Sequence, residues 1–437
     1  MLKEYLKNSW RKLDNTAKIF SLDSKKNTNI FRYSIILKSK VDKDILKKAL
    51  DKTLNNFQDF KVKLGTGLFW HYLEFNEKEP IITEENEIPC NHFDLSTNND
   101  YLFKVTYYNK KINLDIFHVL TDGTGAIIFL KSLIYNYLNL KYQISYIQDN
   151  PNSQIIYQDE YLKHVNKSFN IHEKHQTAFH FQEKIIPNTN NTYHYILDID
   201  TLKKVCKKYQ VTITEYILAT YTYAIYSSNL YKNSQKEIIT IVPISLRKYY
   251  QVNTLSNFFV CMNINPKIIE KNLLTFNEVL QEIHQEFQEK LTEEKVPAYL
   301  TRDVNLGLNP FLRILPLPLK KLGIKSLGSI ITRTTTTTLS NVGAIDIDSR
   351  YKKYIDNILI LVIPSRFQNI KCTICSYDKK LNITMNSNIN DKEFEKEFYK
   401  LLKKDVSNIK IETNNFNLKK ELLYDISKNK IKKEKHS

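Results

Sequence analysis

The sequence predicts an α/β protein with mixed sheets, α+β in character, built as two lobes. Three observations carry that expectation. At 437 residues and 51.7 kDa the chain is longer than one hydrophobic core organises. Its 42% hydrophobic and 25% charged residues suit a folded globular protein rather than a disordered one. Segments of strand period and helix period alternate along it, and the second half repeats the scheme loosely. The expected division is residues 1–185 and 186–437.

Asn29–Leu37 reads as a strand, followed by a helix near Asp44–Phe57 with Ile45, Leu46, Ala49, Leu50 and Leu54 on one face. Phe60–Leu64 and Leu68–Leu73 flank Gly65-Thr66-Gly67, a hairpin signal. Tyr101–Tyr108 and Ile112–Val119 flank Asn109-Lys110-Lys111, a second one. A helix at Thr124–Leu138 sets Ile127, Leu130, Leu133, Ile134 and Tyr137 at helical spacing. The polar run Gln148–Asn190 holds four of the ten histidines (His164, His172, His175, His180) and reads as the connection between lobes. Beyond it come a strand at Asn191–Ile199 and helices at Thr201–Tyr209 and Thr214–Tyr226. Strands at Lys236–Ile244 and Phe258–Ile264 and a helix at Phe276–Leu291 follow. A strand over Thr334–Thr338 is expected to end in a turn at Ser340-Asn341-Val342-Gly343. Strands at Ile355–Ile363, Ile370–Tyr377 and Leu381–Asn386 and an amphipathic helix at Asp391–Lys404 complete the reading.

The longest apolar run, Ile358–Ile363, is six residues, far short of a membrane span. The opening residues carry scattered charges and no apolar stretch of a secretory signal, so the expected location is the cytoplasm. Five cysteines are an odd, scattered set rather than a disulfide framework. Cys372 and Cys375 form a C-x-x-C, but on a strand residues three apart face opposite ways, which argues against a metal or redox pair. Of the +17 net charge, the stretch from Lys400 onward supplies +6, and its end, Lys428–Lys435, reads as a frayed, solvated tail. Abundant Lys, Asn and Ile with scarce Gly is the usage of AT-rich codons. No nucleic-acid recognition motif accompanies the charge, so no nucleic-acid partner is expected. A positive surface equally suits coenzyme A phosphates or an acidic carrier protein. No Walker loop or dinucleotide fingerprint occurs. His71, beside Trp70 in a hairpin, is expected at the surface or an interface.

The sharpest local signal is His118-Val119-Leu120-Thr121-Asp122-Gly123. Its H-x-x-x-D-G pattern is expected by chance at about 0.01 occurrences in a chain of this composition. The histidine ends a strand, the aspartate opens a loop, and a helix begins directly after. Gly123 and Gly125 are two of only eight glycines, set where backbone freedom has most value. An imidazole at a strand end, facing a cleft, can act as a general base near neutral pH. Asp122 has two available duties: to orient the imidazole, or to turn away and anchor the loop through a cation. The short turn favours the anchor. The same residues also suit a plain strand–turn–helix junction, with Asp122 capping the helix and His118 packed in the core.

This segment resembles the motif of the coenzyme A-dependent acyltransferase superfamily. That group includes chloramphenicol acetyltransferases, peptide-synthetase condensation domains, plant BAHD acyltransferases and alcohol acetyltransferases. Asp200–Ala219 looks like its second-lobe helix pair. Val242–Arg247 and Ser256-Asn257-Phe258 resemble the strand and segment that follow, and the Ile45–Leu50 helix also fits, so the likeness covers nearly the whole chain. Phe117 stands where condensation domains usually carry the first of two histidines, and no carrier or adenylation module follows in the sequence. The plant D-F-G-W-G is missing, with Ser340–Gly343 in a comparable late position. The likeness therefore leans towards a free-standing alcohol acetyltransferase.

The resemblance implies two chloramphenicol acetyltransferase-like lobes forming a pseudo-dimer, with a central tunnel and His118 at its midpoint. It implies transfer of an acyl group from an acyl-CoA or acyl carrier protein thioester to a hydroxyl or amine acceptor. His118 would be the base, with Asp122 and Gly123 completing the catalytic motif and Asp122 paired with Arg247. Asn257, Ser340 and Asn341 would be candidates for substrate or oxyanion contact. Neither a permanently bound cofactor nor a metal is implied, acyl-CoA being a co-substrate. A duplicated chain can build its tunnel as a monomer. The alternative is a catalytically silent condensation-like module that binds an acyl carrier protein or a partner enzyme.

Overall fold

A computed structural model describes residues 10–22, 28–92, 94–144, 158–166, 171, 176–182, 190–232, 234–322, 333–365 and 367–414. The readings of His172, His175 and the Lys428–Lys435 tail fall outside them. One sheet has five strands in the order β12 (Ile355–Val362), β2 (Ile30–Leu37), β7 (Lys111–Phe117), β6 (Phe103–Tyr108) and β5 (Ile82–Glu84). Its neighbours run antiparallel except β5 and β6. A second sheet has seven: β10 (Phe259–Ile264), β9 (Thr240–Ser245), β11 (Thr337–Ala344), β13 (Ile370–Tyr377), β14 (Lys380–Ser387), β8 (Asn191–Asp198) and β15 (Ile409–Thr413). There β11 runs parallel to both β9 and β13. A small antiparallel sheet joins β1 (Trp10–Lys12), β4 (His71–Phe75) and β3 (Val62–Thr66).

Burial explains the composition of the central strands. β2 is buried along nearly its whole length, so its one charge must be paired. Arg32 lies opposite Asp115 of β7 and grips both carboxylate oxygens, at 2.7 and 2.6 Å, in the planar fork geometry that suits a buried ion pair. Helix Lys43–Asn56 starts on the Asp42 carboxylate and buries Leu46, Ala49, Leu50 and Leu54 against helix Gly123–Tyr142. Helices Ile213–Ser227 and Phe276–Lys290 each open with a capping box, Thr212 with Glu215 and Thr275 with Glu278. Together with helix Glu393–Asp405 they cover one face of the seven-stranded sheet.

Alternation along β13 shows how the two cores meet. Ile370, Cys372 and Ile374 enter the second core. Thr373 and Cys375 point the other way, onto β12, bonding the carbonyls of Ile360 (2.8 Å) and Ile358 (3.4 Å). Cys372 and Cys375 thus sit in different cores.

Several details differ from the sequence reading. The division at 185/186 is crossed: β12 comes from the second half yet pairs with β2, and Ile355, Ile358 and Ile360 join the first core. It also makes polar contacts, with Asn357 and Asn382 bonded side chain to side chain at 2.9 and 3.0 Å. Ser340–Gly343 is not a turn but part of β11, held by the ladder to β13, whereas β9 pairs only with Thr337 and Thr338. A bulge lies between Asn341 and Gly343, and Gly343 takes φ of +78°, where a side chain is disfavoured. His71 is buried rather than superficial, its Nδ1 3.2 Å from the Gly65 carbonyl. Helices Asn15–Phe20 and Lys295–Leu308 have no counterpart in the sequence reading. Among the described residues no helix is long and apolar enough to cross a membrane.

Candidate active site

Strand β2 begins beside the end of β7, with Ile30 opposite Phe117, and His118 is the first residue beyond β7. Its backbone N–H donates to the Asn29 carbonyl at 2.8 Å, which fixes the exit direction of the chain. Phe20, Phe31 and Phe259 crowd the imidazole at centroid distances of 4.3, 4.8 and 5.6 Å. The residue nonetheless keeps part of its surface exposed. Burial pushes its pKa down from 6.5, and the pull of Asp122 and Asn257 in the other direction does not cancel this. At neutral pH the ring is therefore neutral.

Which nitrogen bears the proton follows from the hydrogen-bond network. Nδ1 lies 2.9 Å from Oδ1 of Asn257. The amide is oriented by its other end: Nδ2 donates to Asp14 Oδ2 at 2.9 Å and to the His118 carbonyl at 3.1 Å. An amide oxygen only accepts, so Nδ1 carries the hydrogen and Nε2 keeps its lone pair.

Asp122 faces away from the ring. Oδ1 caps helix Gly123–Tyr142 by accepting the amides of Thr124 and Gly125, both at 3.1 Å. Oδ2 accepts from Arg247 Nη1 at 2.7 Å and from the Phe258 amide at 2.9 Å. Capping and anchoring are thus one arrangement, each using a different oxygen. Burial alone would raise the carboxyl's pKa, but Arg247 and the surrounding amides hold it below the usual carboxylate range. Arg247 spends its other N–H groups on the carbonyls of Thr254 (3.2 and 3.0 Å) and Ser256 (2.8 Å). One ion pair therefore ties the motif to the β9–β10 connection that carries Asn257.

Gly125 is required by close approach rather than by a positive φ. A Cβ there would lie 2.8 Å from the Leu255 carbonyl and 2.0 Å from Thr121 Oγ1, which itself donates to that carbonyl at 2.6 Å. Gly123 lies against Tyr33, whose hydroxyl donates to the Gly123 carbonyl at 3.0 Å. Backbone freedom is not what either glycine supplies.

The structure thus brings His118, Asp122, Gly123, Arg247 and Asn257 together, but gives two of the candidate oxyanion donors other work. Asn257 is fully buried with its amide committed to His118 and Asp14, so it stands behind the ring rather than facing a substrate. Asn341 donates to Thr214 Oγ1 at 2.8 Å and accepts the Gly343 amide at 2.9 Å, which pins the bulge. Ser340 lies opposite Thr373, on the sheet face turned towards β12. Sequence reasoning missed Asp14, the N-cap of helix Asn15–Phe20, whose carboxyl burial pushes up to about 7. A helix-start signal was there to be read, but nothing in it points to Asn257. Among the described residues no cluster of three or more His, Cys, Asp or Glu could hold a metal ion.

No protein-family model matches the chain, and no curated protein matches it in sequence. Solved structures do match its fold. A Fusarium graminearum protein complexed with coenzyme A and T-2 mycotoxin is similar with a TM-score of 0.62 at 9% identity, covering 92% of this chain and 99% of that one. A trichothecene 15-O-acetyltransferase from Fusarium sporotrichioides gives 0.58 at 10% identity, covering 90% and 94%. The starter condensation domain of rhizomide synthetase, solved as a variant in complex with C8-CoA, gives 0.57 at 11% identity, covering 92% and 96%. The chain therefore has the fold of the coenzyme A-dependent acyltransferases and condensation domains.

Proposed function

We propose that the protein is an acyltransferase that moves an acyl group from a coenzyme A thioester to a hydroxyl or amine acceptor. The observation that carries this reading is the neutral, partly exposed His118 held at Nδ1 by Asn257, with the lone pair on Nε2. The fold adds support, since similar structures were solved with coenzyme A or C8-CoA. Donor and acceptor would approach from opposite ends of a tunnel between the lobes.

In the reaction, Nε2 takes the acceptor's O–H or N–H proton as the heteroatom bonds to the thioester carbonyl carbon. The carbonyl electron pair moves onto oxygen. Collapse of the adduct re-forms the carbonyl and breaks the C–S bond, and the thiolate leaves with the proton returned by the imidazolium. General-base help of this kind contributes about 10²–10⁴ in rate. The oxyanion has two candidate donors. One is the Gly123 amide, which opens helix Gly123–Tyr142 and is not taken by the Asp122 cap. The other is the Ser340 hydroxyl. No acyl-enzyme nucleophile is needed. The test is thiol release from acetyl-CoA and longer acyl-CoA esters against a panel of alcohols and amines. His118→Ala should abolish release while preserving the far-UV spectrum. Undiminished turnover in that variant would reject the mechanism.

A further inference from the structure

We infer that Asp14 is a positioning residue for His118, acting through Asn257. The inference rests on the acyltransferase reading only for its effect on turnover.

Asp14 is 1% exposed and sits 243 residues before Asn257 in the chain. Its two carboxylate oxygens do different things. Oδ1 accepts the Ala17 amide at 2.7 Å and so starts helix Asn15–Phe20, whose last residue lies against the imidazole. Oδ2 accepts twice from Asn257, from Nδ2 at 2.9 Å and from the backbone N–H at 3.2 Å. The helix is tied to the same place by a second route. Thr16 Oγ1 donates to the Tyr161 hydroxyl at 2.7 Å, which donates to the Phe259 carbonyl at 2.6 Å. Phe259 is another of the rings around His118.

Removing Oδ2 frees the Asn257 amide to turn over. Nδ2 would then face Nδ1, an arrangement that works only if Nδ1 is the acceptor and the ring hydrogen has moved to Nε2. That tautomer has no lone pair with which to take the acceptor's proton. The bond from Nδ2 to the His118 carbonyl, at 3.1 Å, remains as a restraint, so the loss is partial rather than complete. A carboxylate that merely capped a helix would need one oxygen, and Ser or Asn could replace it without consequence.

Two variants separate these roles. Asp14→Asn keeps the shape and an acceptor for Ala17 but turns an NH₂ group towards the two N–H donors of Asn257. Asp14→Ser keeps the cap and removes the second oxygen, and it serves should the first variant not fold. The primary readout needs no substrate: long-range ¹H–¹⁵N spectra of the full chain labelled with ¹⁵N-histidine, with the His118 signals identified by their loss in His118→Gln. The wild type should show a protonated Nδ1 and a bare Nε2. Both folded variants should show a substantial Nε2-protonated fraction, and their kcat should fall about 10- to 100-fold with KM within about twofold. An unchanged tautomer in a folded variant overturns the inference. A shifted tautomer in a protein that transfers no acyl group would uphold it and overturn the enzymatic reading instead.

Discussion

Replacing Arg247 by methionine keeps an apolar stem of similar reach and deletes the guanidinium, which isolates the charge. Arg247 is 8% exposed and Asp122 4%, so solvent cannot take over. The substitution strands a carboxylate whose Oδ2 loses its 2.7 Å partner, and it removes the donor groups bonded to the Thr254 and Ser256 carbonyls. Breaking a buried pair by deleting one member costs about 3–5 kcal/mol. The amides of Thr124, Gly125 and Phe258 still hold Asp122, which puts the expected loss near the lower end, about 3 kcal/mol. Urea denaturation followed by both fluorescence and circular dichroism measures it, two probes being needed because the chain has two cores. The pH dependence supplies a second check. A carboxyl held below its ordinary 3.8 contributes stability that is present above that value and lost as pH falls through the folded pKa. Arg247→Met removes that contribution, so its deficit should be largest near neutrality and shrink on acidification. Adding Asp122→Asn should recover part of the loss by removing the unpaired charge. A single variant within about 1 kcal/mol of wild type, or a deficit that ignores pH, would refute the bracing role.

Other consequences can be measured separately. Burial raises the Glu395 carboxyl to about 7 from 4.5, against the pull of Lys392. Stability should therefore decline as pH rises between those values, and Glu395→Gln should abolish the decline, gaining on the order of 3 kcal/mol at alkaline pH. A variant whose unfolding free energy keeps the wild-type pH slope would contradict this. Gly125→Ala places a methyl 2.8 Å from the Leu255 carbonyl, and should cost about 1–3 kcal/mol by thermal melts together with much of the turnover. Because burial lowers the His118 pKa, the acid limb of kcat/KM should lie below pH 6.5. A limb at or above that value would mean that the titrating ring is not the one described.

Local signals were legible in the sequence and partner choices were not. The hairpin of β6 and β7 and the helix after Asp122 were readable because a turn composition and a 3.6-residue period declare themselves within a few residues. His118 and Asp122 could be singled out because they share a short string of distinctive residue types, and Arg247 because Val242–Arg247 resembles a family segment. The structure joins Asp122 to Arg247. Asn257 could be singled out too, but not its contacts, since nothing near it says which way an amide will face. That is decided by Asp14, which is remote in sequence and packed beside it only after folding. Ser340–Gly343 misled because its composition suits a turn, whereas β13 beside it supplies the ladder that keeps it extended. Nor could the chain between Ile355 and Val362 announce that its ladder partner lies more than three hundred residues earlier.

That long return has a consequence for how the molecule is made. A ribosome releases β2, β7 and the histidine early, but the strand that covers the flank of β2 emerges only after most of the polypeptide has been synthesised. Until then β2 presents an unpaired row of amides and carbonyls flanked by Tyr33 and Ile35, the kind of surface that invites association with other nascent chains. Emergence of β12, rather than completion of the first half, should therefore be the event that completes the sheet leading to His118, and termination before it should yield insoluble fragments rather than a smaller folded unit.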